Sequence, residues 1–213
     1  MEYQAPLPFS PRLKGPPPFR PSASQQDAQQ QLARHAERFA RAPSGLTTIL
    51  LIGAQGAGKT RVVDEFDPVS SDETCDALDV HGLDPLALFG LINSSTAERR
   101  VLVIEARVPP VRWYPRETDI PPDLQSRLSA VPIIELDRPS AMDLQSVLAA
   151  DLRLHGQRLS DSDLDYVVDR LPRDLGAPRQ FCRSLDLVDQ RLVRRDQLQW
   201  ALEKVHVAPL KPF

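Results

Sequence analysis

The run Gly53-Ala54-Gln55-Gly56-Ala57-Gly58-Lys59-Thr60 has the residue types and spacing of G-x-x-x-x-G-K-[ST], a pattern suited to holding phosphate. Its glycines let the backbone curl so that several N–H groups converge on one anion, helped by the start of a following helix. Lys59 adds a fixed positive charge, and Thr60 offers a hydroxyl to Mg²⁺. Gly53, Gly56, Ala57, Gly58, Lys59, Thr60 and the adjoining Arg61 are therefore the candidate nucleotide contacts, with Thr60 also a candidate metal ligand. The competing reading is a glycine-rich turn that binds nothing. The pattern names a ligand class, ADP or ATP, and not a reaction.

Such a loop works only between a strand and a helix. The apolar, partly β-branched run Thr47–Ile52 reads as a buried strand, and Thr60–Phe66 can begin a helix, so the order is the required one. The chain of 213 residues, 41% hydrophobic, is long enough for one substantial core with a smaller appendage. A formal charge of −3 gives no electrostatic case for gripping a nucleic-acid backbone, so direct specific DNA binding is not expected. Cys75 and Cys182 are too few and too far apart for a metal site or disulfide framework, and the four histidines are scattered. No apolar run approaches the ~20 residues needed to cross a bilayer, and the N-terminus lacks a basic segment followed by an apolar one. A cytoplasmic protein without a membrane partner is expected.

Residues 1–21 are crowded with proline and read as an extended tail. A helix follows, capped by Ser22 or Ser24, with Leu32, Ala33, Ala36, Phe39 and Ala40 at helical spacing. Leu83–Ile92 gives a second core-packing helix, while Val101–Ile104 and Val131–Leu136 are continuous apolar runs of the kind found in buried strands. Strands alternating with helices favour a parallel α/β sheet. From Ser140 on the pattern is helical, marked by Met142, Leu144, Val147, Leu148 and Leu152. A second helix carries Leu164, Val167, Val168 and Leu171, capped by Ser160 or Ser162. A third carries Phe181, Leu185, Leu187, Val188 and Leu192, and Gln197–Val205 can add a fourth. The expected domains are a tail at 1–21, an α/β base at 22–137 and a helical lid at 138–213. A helical region appended after the last strand is the domain order of AAA+ proteins, so the fold class is an α/β AAA+ P-loop sheet followed by a small helical lid.

Three further segments resemble the DnaA family of bacterial replication initiators, and within it the Hda-type regulators that promote DnaA inactivation. Val101–Pro110 with Trp113 looks like the family's fourth strand and its x-R-x-P-P turn. Pro122-Asp123-Leu124-Gln125-Ser126-Arg127-Leu128 is similar to the family's P-D-L-x-S-R-L segment, which implies that Arg127 is a finger reaching a neighbouring subunit's nucleotide. Gly176-Ala177-Pro178-Arg179-Gln180-Phe181 falls where such proteins carry the sensor-2 arginine, which implies that Arg179 binds this chain's own nucleotide. A guanidinium is always charged and fork-shaped, which suits both roles. The bland alternative is a surface ion pair, Arg127 with Asp123 or Arg179 with Asp174. In the tail, Gln4-Ala5-Pro6-Leu7-Pro8-Phe9 looks like the peptide with which Hda-type proteins bind the sliding clamp, the β subunit of the DNA polymerase. Proline stiffening lowers the entropy cost of docking, Leu7, Pro8 and Phe9 offer apolar contacts and Gln4 hydrogen bonds. Ala5 stands where many members of the family have leucine.

The chain also departs from the AAA+ pattern. The interval from Thr60 to Asp79 is too short for the usual helix, strand, helix and strand, so one strand is expected to be missing, and the polar stretch Ser70–Thr74 suits at best an edge. Alignment with the family puts Asp79 at the second acidic place of the Walker B site and Leu78 at the first. That leaves Mg²⁺ without its usual carboxylate unless Asp76 substitutes. Glu105 stands at the sensor-1 place, where it should disfavour ATP turnover. The resemblance therefore implies a regulator that binds nucleotide, ADP more readily than ATP, hydrolyses it slowly or not at all, and supplies Arg127 to ATP-bound DnaA. The rival readings are an autonomous P-loop ATPase or kinase, and a catalytically silent clamp tether.

Overall fold

The structure, a computed structural model, describes residues 21–41, 45–66, 76–79, 84–114, 120–189, 191 and 193–207, with backbone alone at 76–79 and 206–207. The chain divides into two compact units, one spanning Pro21–Arg138 and the other beginning at Pro139.

The first unit contains α1 (Ala23–Arg41), β1 (Thr48–Gly53), α2 (Lys59–Asp64), β2 (Asp76–Asp79), α3 (Pro85–Glu98), β3 (Leu102–Ala106), α4 (Pro122–Ala130) and β4 (Ile133–Leu136). Its four strands form a parallel sheet in the order β2-β3-β1-β4. Among the described residues no strand lies between β1 and β2 in sequence. β1 and β3 are buried along their whole length because helices cover both faces. On one face Leu50, Ile52, Leu102 and Ile104 pack with Leu88 and Ile92 of α3 and Leu124 and Leu128 of α4.

Local chemistry explains most of the boundaries. Ser22 and Gln25 form a reciprocal cap at the start of α1, Gln25 N–H donating to Ser22 Oγ and Ser22 N–H to Gln25 Oε1. Ser24, the alternative cap, instead accepts a bond from the Asp137 N–H after β4. The buried stripe of α1 is Gln25, Ala28 and Leu32, so Ala33, Ala36 and Phe39 are only half-buried and Ala40 is exposed. Asp84 caps α3 by accepting from Leu86 and Ala87 N–H, with Pro85 at the first helical position. β4 is not buried on both sides as its apolar run suggested. It is a sheet edge that alternates, leaving Ile133 46% exposed.

The second unit is helical, with α5 (Ala141–Leu154), α6 (Asp161–Val168), α7 (Ala177–Leu187) and α8 (Arg194–Val207). Leu144, Leu148, Leu152, Val167, Phe181 and Leu198 belong to its core. Met142 and Leu187, expected on the inner stripes, are each 79% exposed, since each lies on the outer side of its helix. Ser160, rather than Ser162, caps α6 by accepting from Asp163 N–H. Among the described residues no helix is long and apolar enough to cross a membrane.

Candidate functional site

The phosphate-loop residues lie between β1 and α2, at the end of the buried strand beside β4. Gly56 and Gly58 have φ of 74° and 85°, the left-handed region that a side chain resists, so the glycines at these two positions permit the loop's curl. Gly53 is required for space. A Cβ there would stand 2.9 Å from Leu136 Cβ and 3.1 Å from Leu136 O, both fixed by strand pairing. Gly53→Ala should therefore cost about 1–3 kcal/mol, the usual range for overpacking, and weaken nucleotide binding as β1 and β4 move apart. Chemical denaturation with nucleotide titration checks both effects.

Lys59 Nζ donates to Gly53 O at 2.8 Å and to Ala54 O at 3.1 Å, which holds the ammonium over the loop's own backbone. The helix that should add its dipole is short, six residues. Few peptide units are aligned there, so an anion at this place would meet mainly the loop amides and the Lys59 charge. Arg61 pairs with Glu65 along α2, N to O 2.6 Å.

Two tertiary contacts complete the loop, and neither was apparent in the motif. Gln25, buried on α1, donates from Nε2 to Ala57 O at 3.2 Å across a sequence separation of 32, tying the loop to the first helix. Thr60 Oγ1 donates to Glu105 Oε2 at 2.9 Å across a separation of 45. Glu105 sits in β3 and is 8% exposed, with its backbone in register between Leu51 of β1 and Asp79 of β2. The hydroxyl expected to meet Mg²⁺ thus already faces a carboxylate from the neighbouring strand. Asp79 ends β2 one strand further from the loop.

The two arginines lie on other elements, Arg127 on α4 and Arg179 on α7. Arg127, half-buried on α4, lies over the Phe89 ring of α3 with its guanidinium carbon 5.4 Å from the ring centre. Among the described residues it forms no ion pair, with Asp123 or otherwise. After β3, Trp113 Nε1 donates to Val108 O at 2.7 Å and fixes the turn through Pro109 and Pro110. Arg179 belongs to the helical unit, exposed on the first turn of α7. Asp174, its suggested partner, instead accepts from Gly176 N–H at 2.7 Å. Gln4, Leu7, Pro8 and Phe9 lie outside the described residues.

Within the helical unit burial pushes the Asp151 carboxyl above its usual range, while the charges of Arg179, His155 and Arg183 pull the other way. The folded state then holds its proton more tightly than the unfolded state, so ionisation of Asp151 costs stability as pH rises above 3.8. Asp151→Asn should melt higher than the parent at neutral pH, with the difference closing as pH falls below that value. Melting curves of both proteins across this window measure it, and a constant difference would refute the assignment.

No protein-family model and no curated protein matches this sequence. Solved structures do. Domain III of the Thermotoga maritima replication initiation protein DnaA superposes with a TM-score of 0.65 at 13% identity, covering 91% of this chain and 95% of that one. AMPPCP-bound DnaA from Aquifex aeolicus gives 0.59 at 11% identity, over 79% of this chain and 63% of that one. The fold is that of DnaA-like AAA+ proteins. The wider AAA+ class is matched as well, as by the FIGL-1 AAA domain in complex with ADP, with a TM-score of 0.52 at 14% identity over 87% of this chain and 82% of that one. In this DnaA-like AAA+ fold β1 carries the phosphate loop, and the helical unit follows the last strand.

Proposed function

We propose that this chain is an Hda-like regulator of bacterial chromosome replication initiation. It binds ADP or ATP through Gly53–Thr60, docks on the sliding clamp through Gln4, Leu7, Pro8 and Phe9, and supplies Arg127 to the nucleotide site of ATP-bound DnaA. The reading gathers the P-loop motif, the DnaA-like fold and the P-D-L-x-S-R-L segment. The observation that carries it is Arg127 itself, a guanidinium held on an aromatic face with no ion pair among the described residues. In phosphoryl transfer, charge accumulates on the transferred group, and an arginine from a second protein stabilises it. An arginine already neutralised by a carboxylate would be poorly placed for that task.

On this reading the chain's own nucleotide is structural. The loop amides and Lys59 hold the β-phosphate, Arg179 contacts the same nucleotide, and turnover is slow or absent. When Mg²⁺ accompanies the nucleotide, the oxygen donors Thr60 and Glu105 suit it, and the ion would offset phosphate charge. The protein acts in the cytoplasm, with DnaA and the clamp as its partners.

The test is ATP hydrolysis by DnaA with clamp loaded on DNA, measured with and without this protein. Acceleration that requires the loaded clamp supports the reading. An unchanged DnaA rate, or equal ATP consumption by this protein alone, would reject it in favour of a silent tether or an autonomous ATPase.

A further inference from the structure

We infer that Glu105, rather than Asp79, is the carboxylate partner of a divalent cation carried in with the nucleotide, acting together with the Thr60 hydroxyl. The inference rests on the nucleotide reading above and specifies the metal side of that same site.

The contact with Thr60 favours Glu105. β3 is the direct neighbour of β1, and Glu105 is in register with Leu51, close to the point where β1 runs into the phosphate loop. Asp79 is in register with Glu105 on the far side of β3. Alignment with the family puts Asp79 at the second acidic place, with Leu78 at the one that would hold the metal, so β2 offers no carboxylate there. Glu105 reaches the loop, since its Oε2 stands 2.9 Å from Thr60 Oγ1.

The contact also presets the donors. A hydroxyl that gives its proton to a carboxylate keeps two lone pairs on oxygen, while an ionised carboxylate has about four acceptor positions over its two oxygens. Thr60 thus has its proton directed away from the place a cation would take. One hydroxyl, one carboxylate, phosphate oxygens and water form an all-oxygen set, the kind preferred by Mg²⁺ or Mn²⁺, which keep several waters and use few protein ligands. A glutamate at this end of β3 then becomes a metal partner, taking over the part that the family alignment leaves unfilled on β2.

The test uses the full chain and ADP as probe. ADP affinity is measured by calorimetry with Mg²⁺ and with a chelator, and Mn²⁺ binding in the presence of ADP by electron paramagnetic resonance. In the parent protein Mg²⁺ should tighten ADP binding and Mn²⁺ should bind only with ADP. Glu105→Gln should lower Mn²⁺ affinity about 10–100-fold, the range seen when a group supporting a metal is removed, and abolish the Mg²⁺ effect on ADP. Asp79→Asn should preserve both. Retention of the Mg²⁺ effect in Glu105→Gln, or its loss in Asp79→Asn, overturns the inference. So does ADP binding by the parent that ignores Mg²⁺, which would mean that the Thr60–Glu105 bond closes the site to metal, and the nucleotide reading would survive. Failure of the parent to bind ADP under either condition overturns the nucleotide reading itself. The Asp79→Asn arm can still overturn the inference if Glu105→Gln does not fold.

Discussion

If this chain acts on DnaA as proposed, replacing Arg127 by alanine is expected to reduce its stimulation of ATP-DnaA hydrolysis by about 10³-fold or more, the scale on which an arginine supplied in trans accelerates phosphoryl transfer. Stability should change little. The side chain is half-buried, and its described contact is the Phe89 ring, worth about 0.5–1 kcal/mol at an accessible site. The large effect on a partner's chemistry and the small effect on folding separate a finger from a structural arginine. Arg127→Lys should recover little of the stimulation, because an ammonium keeps the charge but loses the planar fork that meets two phosphate oxygens. Phe89→Leu should fall between parent and Arg127→Ala, since the guanidinium remains but its resting surface is gone. Single-turnover hydrolysis by DnaA with loaded clamp reads all four proteins, and equal rates for parent and Arg127→Ala would remove the finger.

A second large effect is expected in the helical unit. Phe181 is fully buried at the centre of the core formed by α5, α6, α7 and α8. Truncating such a ring removes its transfer free energy and leaves a cavity, so Phe181→Ala should cost about 3–5 kcal/mol. A whole domain is stable by only about 5–15 kcal/mol, and in a unit of this size each kcal/mol lowers the melting temperature by about 4–8 °C. The expected shift therefore exceeds about 10 °C. Leu187→Ala in the same helix is the control: that side chain is 79% exposed, and its loss should stay within about 0.5 kcal/mol. Similar melting of the two variants would show that Phe181 does not anchor the core. Because Arg179 stands two residues before Phe181, the nucleotide reading adds that Phe181→Ala releases nucleotide faster than the parent well below its melting temperature.

The sequence was sufficient wherever a physical rule acts over a few residues. The spacing of Gly53, Gly56, Gly58, Lys59 and Thr60 defines a loop between strand and helix because left-handed φ and close backbone approach select glycine locally. Apolar runs at β1 and β3, and the stripe Leu144, Leu148 and Leu152, reveal a parallel sheet and a helical unit because burial imposes its period on neighbouring residues. It misled where periodicity lacks a partner to define the inside. Met142 and Leu187 fit an apolar stripe, yet only the positions of α6 and α8 decide which side of α5 and α7 is covered. The apolar run at β4 carries no sign that it lies at the sheet's edge. What only the tertiary structure decided is the company kept by the phosphate loop. Gln25 reads as one of many glutamines in a helix and Glu105 as a misplaced anion at the end of an apolar run. Strand order and helix packing bring the first to Ala57 and the second to Thr60. Those contacts depend on which strand lies beside β1 and which helix packs on the loop, quantities set by the summed burial of the whole unit and not by any short stretch of chain.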